Sequence, residues 1–146
     1  MSTSIHRRVD GLRAGRDPTF IARLASGWAV LGERQVLPGY CLLLPDPVVP
    51  TLNALAGSER AAFLADMAAL GDAVLAVTRA VRINYAIFGN QDPALHAHVI
   101  PRYHDEPPAH VTAHPFAYDW DRAPAFDAEQ HRELRDRLHT ALSRIA

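Results

Sequence analysis

The chain has 146 residues, a formal net charge of -1 at neutral pH from 15 basic and 16 acidic side chains, and one cysteine, Cys41. Spread charge of this kind argues against a nucleic-acid partner, and because every basic residue is Arg, lysine Schiff-base chemistry and a Walker-type phosphate loop are excluded. A lone cysteine in an apolar run, no stretch near the roughly 18 apolar residues of a membrane span, and no apolar core in Met1 to Asp10 predict a cytoplasmic protein without a membrane partner.

The length fits one domain, residues 1–146, able to bury roughly 70% of its unfolded surface. Met1 to Gly15 is polar, with Arg7, Arg8, Arg13 and two glycines, and reads as a mobile segment ahead of the fold. Asp17 before Pro18 reads as a helix start, with Phe20, Ile21 and Leu24 as the apolar face of a short helix. Trp28 to Leu31 and Tyr40 to Leu44, separated by the turn signal Pro38-Gly39, predict a hairpin. Pro45, Pro47 and Pro50 end that pairing. A long helix capped by Ser58 follows, striped by Phe63, Met67, Leu70, Val74 and Val77 at three- and four-residue steps. Arg82 to Phe88 and Leu95 to Tyr103 give two more strands. Residues 104–126 are proline-rich and aperiodic and predict irregular structure wrapping the core. Asp127 and Gln130 have capping-box spacing ahead of a terminal helix striped by Leu134, Leu138, Leu142 and Ile145. The sum is an α+β domain, a mostly antiparallel sheet with a long helix and a C-terminal helix packed on it.

The stretch from Gly89 to Arg102 carries the chemistry. Gly89, Asn90, Gln91, Asp92 and Pro93 are turn residues able to present backbone N–H groups to an anion. In the strand that follows, His96 and His98 share one face about 6.6 Å apart while Leu95, Ala97 and Val99 face the core. A histidine attacks phosphorus only through an unprotonated nitrogen, so its other nitrogen has to hold the proton in a fixed hydrogen bond. The nearest same-face carbonyl is that of Ala94.

With the turn at Pro38-Gly39, the proline-ended strand and the long helix ahead of it, the run His96-Ala97-His98-Val99-Ile100-Pro101-Arg102 resembles the histidine triad (HIT) family of nucleotide hydrolases and transferases, over roughly residues 28–102. The resemblance implies a HIT-like fold, a homodimer, and a nucleotide as the small-molecule partner. It also implies attack on the α-phosphate by the middle histidine, through a covalent nucleotidyl-histidine. On that pattern His96 is the nucleophile, His98 and Gln91 assist it, and Asn84, Gly89, Asn90 and Tyr40 belong to the nucleotide site. The resemblance further implies a dinucleoside polyphosphate or a phosphoramidate as substrate and no required cofactor, a divalent ion being able to accompany the substrate phosphates. The chain departs from the pattern where the first triad histidine falls on Ala94, the histidine after Pro-Gly on Tyr40, and the ribose-contacting Asp or Asn on Gly32. The first two neighbour the nucleophile in the family, so their joint replacement reads as one repacking event.

Three other readings fit the same residues. One is a nucleotide-binding module that has lost catalysis with Ala94 and Tyr40. Another is a metal-dependent hydrolase in which His96 and His98 are ligands completed by His104, His110, Asp105 or Glu106. The third makes the pair strand histidines satisfied by local hydrogen bonds. Among the other histidines, His104, His110 and His114 read as rim or solvent-facing residues, and His6, His131 and His139 as surface residues.

Overall fold

Cys41–Pro45 is apolar at every position, so a strand there has to be covered on both faces. The computed structural model, which describes residues 2–145, shows how. Strands β1 (Phe20–Arg23), β2 (Gly27–Leu31), β3 (Cys41–Pro45), β4 (Arg82–Ala86) and β5 (Ala97–Arg102) form one antiparallel sheet in the order β1-β2-β3-β5-β4. Helices α2 (Gly57–Val77) and α3 (Arg132–Ile145) cover one face, where Phe63, Leu70, Val74, Leu138 and Leu142 meet Leu31, Cys41, Leu43, Ala97 and Val99. Helix α1 (Ser4–Arg13) and the segment after β5 cover the other, where Ile5, Val9 and Leu12 meet Val30, Leu42, Leu44 and Ile100. Alternate residues of β3 and β5 therefore enter opposite cores, as a period of two requires.

The N-terminal region differs most from the sequence expectation. Residues 4–13 form a helix, because Thr3 and His6 make a reciprocal capping box and Ile5, Val9 and Leu12 supply a buried stripe between the arginines. Conversely, Asp17-Pro18 opens a strand, not a helix. The Asp17 carboxylate accepts from the Thr19 N–H at 2.9 Å and from its hydroxyl at 2.6 Å, a local turn that uses the same chemistry as a cap. Ser58 lies inside the first turn of α2, whose cap position is Ala56 with no side-chain bond. Asp127 accepts from the N–H groups of Glu129 and Gln130, yet its own N–H goes to the His131 ring, not to Gln130, and regular helix begins at Arg132. Ile145, at the end of the predicted stripe, is exposed.

The irregular segment after β5 is held by one buried ion pair. Arg102 donates from Nε and Nη2 to the Glu106 carboxylate and spends its remaining donors on Asn84 Oδ1 and the carbonyls of His110 and Ala113, all at 2.7 to 3.2 Å. Glu106 also accepts from the Tyr103 N–H and the Tyr118 hydroxyl, both at 2.7 Å. The two side chains are 8% and 2% exposed, and their bonding leaves neither charge unpaired.

Burial alone raises the Glu106 pKa, but the bonds from Arg102, the Tyr103 N–H and Tyr118 outweigh it and hold the carboxyl below the usual carboxylate range. A depressed folded pKa makes this stabilisation complete above the unfolded value of about 4.3 and removes it as the pH falls through the folded one. Glu106→Ala strands a buried guanidinium and is expected to lower stability by about 3–5 kcal/mol in urea unfolding at neutral pH. Acid titration of Glu106→Gln should lack the carboxylate component that the wild type loses below about pH 4.

Candidate functional site

The loop between β4 and β5 fixes the backbone from which the histidines project. Gly89 turns at φ +78°, a conformation that glycine adopts without strain. Asp92 takes a hydrogen bond from the Ser4 hydroxyl at the start of α1, the Ala94 N–H bonds the Asp92 carbonyl at 2.7 Å, and the Leu95 N–H bonds the Val49 carbonyl at 2.7 Å. The Ala94 carbonyl is thus placed before any side chain is considered.

That carbonyl accepts a hydrogen bond from His96 Nδ1 at 2.7 Å. A carbonyl oxygen only accepts, so Nδ1 carries the proton and the Nε2 lone pair is left free. His98 is arranged differently. Its Nδ1 lies 2.7 Å from the Tyr40 hydroxyl, and no other acceptor for that hydroxyl is found among the described residues. Burial raises the Tyr40 pKa well above that of a free phenol, so the group stays protonated and donates, leaving His98 with a proton on Nε2. The two imidazoles stand edge to face with centroids 5.0 Å apart. One offers a lone pair and its neighbour offers an N–H.

Aromatic rings enclose His98. Tyr40 stacks on it at 6.0 Å, Phe116 and Trp120 meet it edge-on at 5.6 and 6.4 Å, and Phe88 lies 6.1 Å away. This burial, with a smaller contribution from His96, pushes the His98 pKa down to about 4. Tyr40 also governs Gly32, whose N–H bonds the Tyr40 carbonyl at 2.9 Å just beyond the ends of β2 and β3. A Cβ on Gly32 would stand 2.2 Å from two carbons of the Tyr40 ring, which is fixed by its bond to His98 and by edge contact with Trp120 at 5.0 Å.

His96, His98 and Tyr40 open together on a cavity of about 700 Å3 that runs under α1, with Trp120 and Asp92 on its wall. The other residues singled out from sequence stand outside its lining. Gln91 and Asn90 are exposed on the loop, Gly89 is half-buried in its turn, and Asn84 is hydrogen-bonded to Arg102 on the wall of a second cavity beside β4. Sequence reading missed the contribution of α1, which brings Arg7 and Arg8 to the histidine cavity. The Ile5, Val9, Leu12 spacing was the available signal.

The histidines named as metal-completing groups do not converge on the pair. Glu106 is held by Arg102, His110 stacks on Tyr118 at 4.3 Å, and His104 is exposed. Among the described residues no three His, Cys, Asp or Glu side chains are grouped to hold a metal. His6 and His131 serve helix starts and His139 bonds the Ile21 carbonyl at 2.6 Å, so all three have structural partners.

A ring titration by NMR is expected to give His98 a midpoint of about 4, and a midpoint near the ordinary 6.5 would remove the buried, neutral His98 from the site. Since its folded pKa is depressed, His98 draws stability down as the pH falls from about 6.5 to about 4, where only the unfolded chain takes up the proton. Tyr40→Phe keeps the ring against Gly32 but deletes one buried hydrogen bond of about 1 kcal/mol and with it the preference for one His98 tautomer. The expected result is a well-folded protein about 1 kcal/mol less stable in urea unfolding, whose His98 ring nitrogen resonances no longer report a single tautomer.

The profile of the HIT domain matches residues 19–105 of this chain. No curated protein sequence matches it. Solved structures similar to it include a histidine triad protein from Marinobacter aquaeolei, with a TM-score of 0.74, 20% identity and 100% of each chain covered. A hypothetical histidine triad nucleotide-binding protein from Sulfolobus tokodaii superposes with a TM-score of 0.73 at 13% identity over 93% of this chain and 91% of that one. A zinc-bound histidine triad family protein from Mycobacterium smegmatis superposes with a TM-score of 0.66 at 19% identity over 92% and 91%. At these identities the likeness shows a shared fold, the mixed α/β architecture described above. The domain match extends over more than half of the residues, from β1 past the end of β5 and through both histidines, and the chain belongs to the HIT domain family.

Proposed function

We propose that the protein is a nucleotide hydrolase or nucleotidyltransferase that works through a nucleotidyl-histidine at His96. The observation that carries this reading is the opposite protonation of the two histidines: the Ala94 carbonyl leaves His96 Nε2 free to attack, while Tyr40 leaves His98 Nε2 protonated and unable to. His96 Nε2 bonds to the α-phosphorus, and the bond from phosphorus to the leaving oxygen or nitrogen breaks with its electron pair going to the leaving group, which takes a proton from solvent. The imidazolium left on His96 keeps its Nδ1–H on the Ala94 carbonyl. Water then displaces His96 from phosphorus, or a second nucleophile does so in a transfer. His98 holds a hydrogen bond to a non-bridging phosphate oxygen throughout. With a pKa near 4 it remains neutral at working pH, which suits a fixed donor better than a proton shuttle.

The substrate class is a nucleoside phosphate with a good leaving group, either a dinucleoside polyphosphate or a phosphoramidate. Gln91 is assigned to the leaving side and Asn90 and Gly89 to the nucleotide through the loop amides, although none of them lines the cavity of His96 and His98; Asn84, bonded to Arg102 on a second cavity, has no part in this step. A divalent ion, where one takes part, travels with the substrate phosphates. The reading extends to a cytoplasmic location, supported by the buried, unpaired Cys41, which stays reduced there. It acts as a homodimer, a reading supported by the free outer edge of β4 and the exposed Val81, Tyr85 and Phe88 beside it. Light scattering should then report twice the 16.0 kDa of one chain.

His96→Ala is expected to abolish turnover, whereas His98→Ala should leave a rate about 10²- to 10³-fold below wild type, because one deletes the attacking atom and the other a single donor. In His96→Gly, added imidazole should restore turnover of an activated substrate. Rapid quench of the wild type should trap a nucleotidyl adduct on the His96 peptide, stable to base and labile to acid. An enzyme that turns over without this adduct and stops when a chelator is added would replace the covalent mechanism with a metal-dependent one. Binding without turnover would make the protein a nucleotide-binding module.

A further inference from the structure

The histidine cavity is larger than one phosphate needs, and its wall includes four arginines, the half-buried Arg8 and the exposed Arg7, Arg16 and Arg34. Arg8 is fixed in place. Its Nη2 donates to the Thr19 hydroxyl at 2.8 Å, its Nε lies 3.5 Å from Asp17 and 3.4 Å from Glu33, and its side chain is 13% exposed. Those two carboxylates lie nearest Arg8, Asp17 also accepting from Thr19 and Glu33 standing exposed at the rim. Arg7, Arg16 and Arg34 have no carboxylate within ion-pair distance among the described residues, and the one side-chain bond any of them makes is from Arg34 Nη1 to the Ala123 carbonyl. The remaining carboxylate on the wall, Asp92, is engaged with α1. Three guanidinium groups gathered round one cavity repel each other, and an anion bound between them relieves that repulsion while offering the oxygen geometry that a guanidinium fork matches best.

We infer that this arginine-lined wall of the cavity is a second anion subsite, built from Arg7, Arg16 and Arg34 around the fixed Arg8, which takes a second phosphate of the nucleotide whose first phosphate lies at His96 and His98. This deepens the proposed function and rests on it. The second phosphate has two chemical sources, a phosphate on the ribose of the same nucleotide or the next phosphate of a polyphosphate chain. In either case the preferred ligand carries two separated anionic groups, and a nucleoside monophosphate fills only half of the site. The arginines that make this selection come from α1, from the loop before β1 and from the loop after β2, so the preference depends on the N-terminal helix being docked.

Calorimetric titration of the full chain with AMP, adenosine 3′,5′-bisphosphate and methylene-bridged ADP tests this, since the bridged analogue is not cleaved between its phosphates. One of the two diphosphorylated ligands is expected to bind about 10-fold or more tighter than AMP, and which one does so identifies the source of the second anion. The advantage should shrink as salt is raised to about 0.5 M, because rim guanidinium groups are screened. In Arg16→Ala/Arg34→Ala the ratio of affinities should collapse toward one, and Arg7→Ala should lower it separately. Equal affinities for all three ligands in the wild type, or a preference that survives in the double variant, would overturn the subsite. Ring resonances of His96 and His98 distinguish the two levels of failure. If AMP moves them but the second phosphate adds nothing, only the subsite is wrong, whereas if no nucleotide moves them the nucleotide reading falls and the subsite with it.

Discussion

A backbone carbonyl accepts a hydrogen bond and never donates one, so the position of the Ala94 carbonyl decides which nitrogen of His96 carries the proton. Everything that fixes that carbonyl therefore acts on the chemistry. Asp92 anchors the loop to the start of α1, the Leu95 N–H is tied to the Val49 carbonyl beyond β3, and Ala97 enters the core under α2. A sheet covered on both faces leaves this stretch no alternative register, because a slip of one residue would put both imidazoles into the apolar core against α2. The tautomer of His96 is set by backbone geometry and not by the Ala94 side chain, which is buried in the core and makes no hydrogen bond.

The three departures from the family pattern fit together in space. Ala94 is fully buried in the same apolar cluster as Tyr40, beside Ile100 and Leu42. The Tyr40 ring fills the volume into which a side chain at position 32 would project, so tyrosine at 40 and a side chain at 32 exclude each other unless the ring moves. The ring is held by its hydrogen bond to His98 and by Trp120, and displacing it would strip His98 of the group that sets its tautomer. Gly32 and Tyr40 are thus one packing solution, with Ala94 in the same buried cluster, and the hydroxyl that fixes the His98 tautomer is a phenol.

The sequence was most readable where pattern and burial agree. The hairpin of β2 and β3, the long helix α2 with Phe63, Leu70 and Val74, and the alternation that sets His96 and His98 apart from Ala97 and Val99 follow from periods of 3.6 and two, and the structure has all of them. It was least readable where one chemistry serves two structures. Asp17-Pro18 satisfies the grammar of a helix cap and of a strand-opening turn equally, and only tertiary pairing of β1 with β2 decides between them. Helix α1 hid behind its arginines, of which Arg7 and Arg8 line the cavity and Arg13 pairs with Asp46. For the site, the two histidines and Tyr40 were legible from local spacing and motif. Trp120 and the arginines of the cavity wall come from the far ends of the chain, and no local pattern brings distant segments together.

The link between the far end of the chain and the histidines is the Arg102–Glu106 pair. Arg102 is the last residue of β5, on the same face of that strand as His98, and through Glu106, His110 and Ala113 it gathers the segment that begins immediately after. Tyr118 closes the loop by donating to Glu106, which brings Phe116 and Trp120, on either side of it in sequence, against His98. With Tyr40 and Phe88, those rings supply the burial that lowers the His98 pKa. A strand that ended in an apolar residue in place of Arg102 would leave the proline-rich segment without its central donor and expose one side of His98 to water. A buried charge pair at the end of β5 thus sets the protonation of an imidazole four residues earlier, through the aromatic wall that it holds in position.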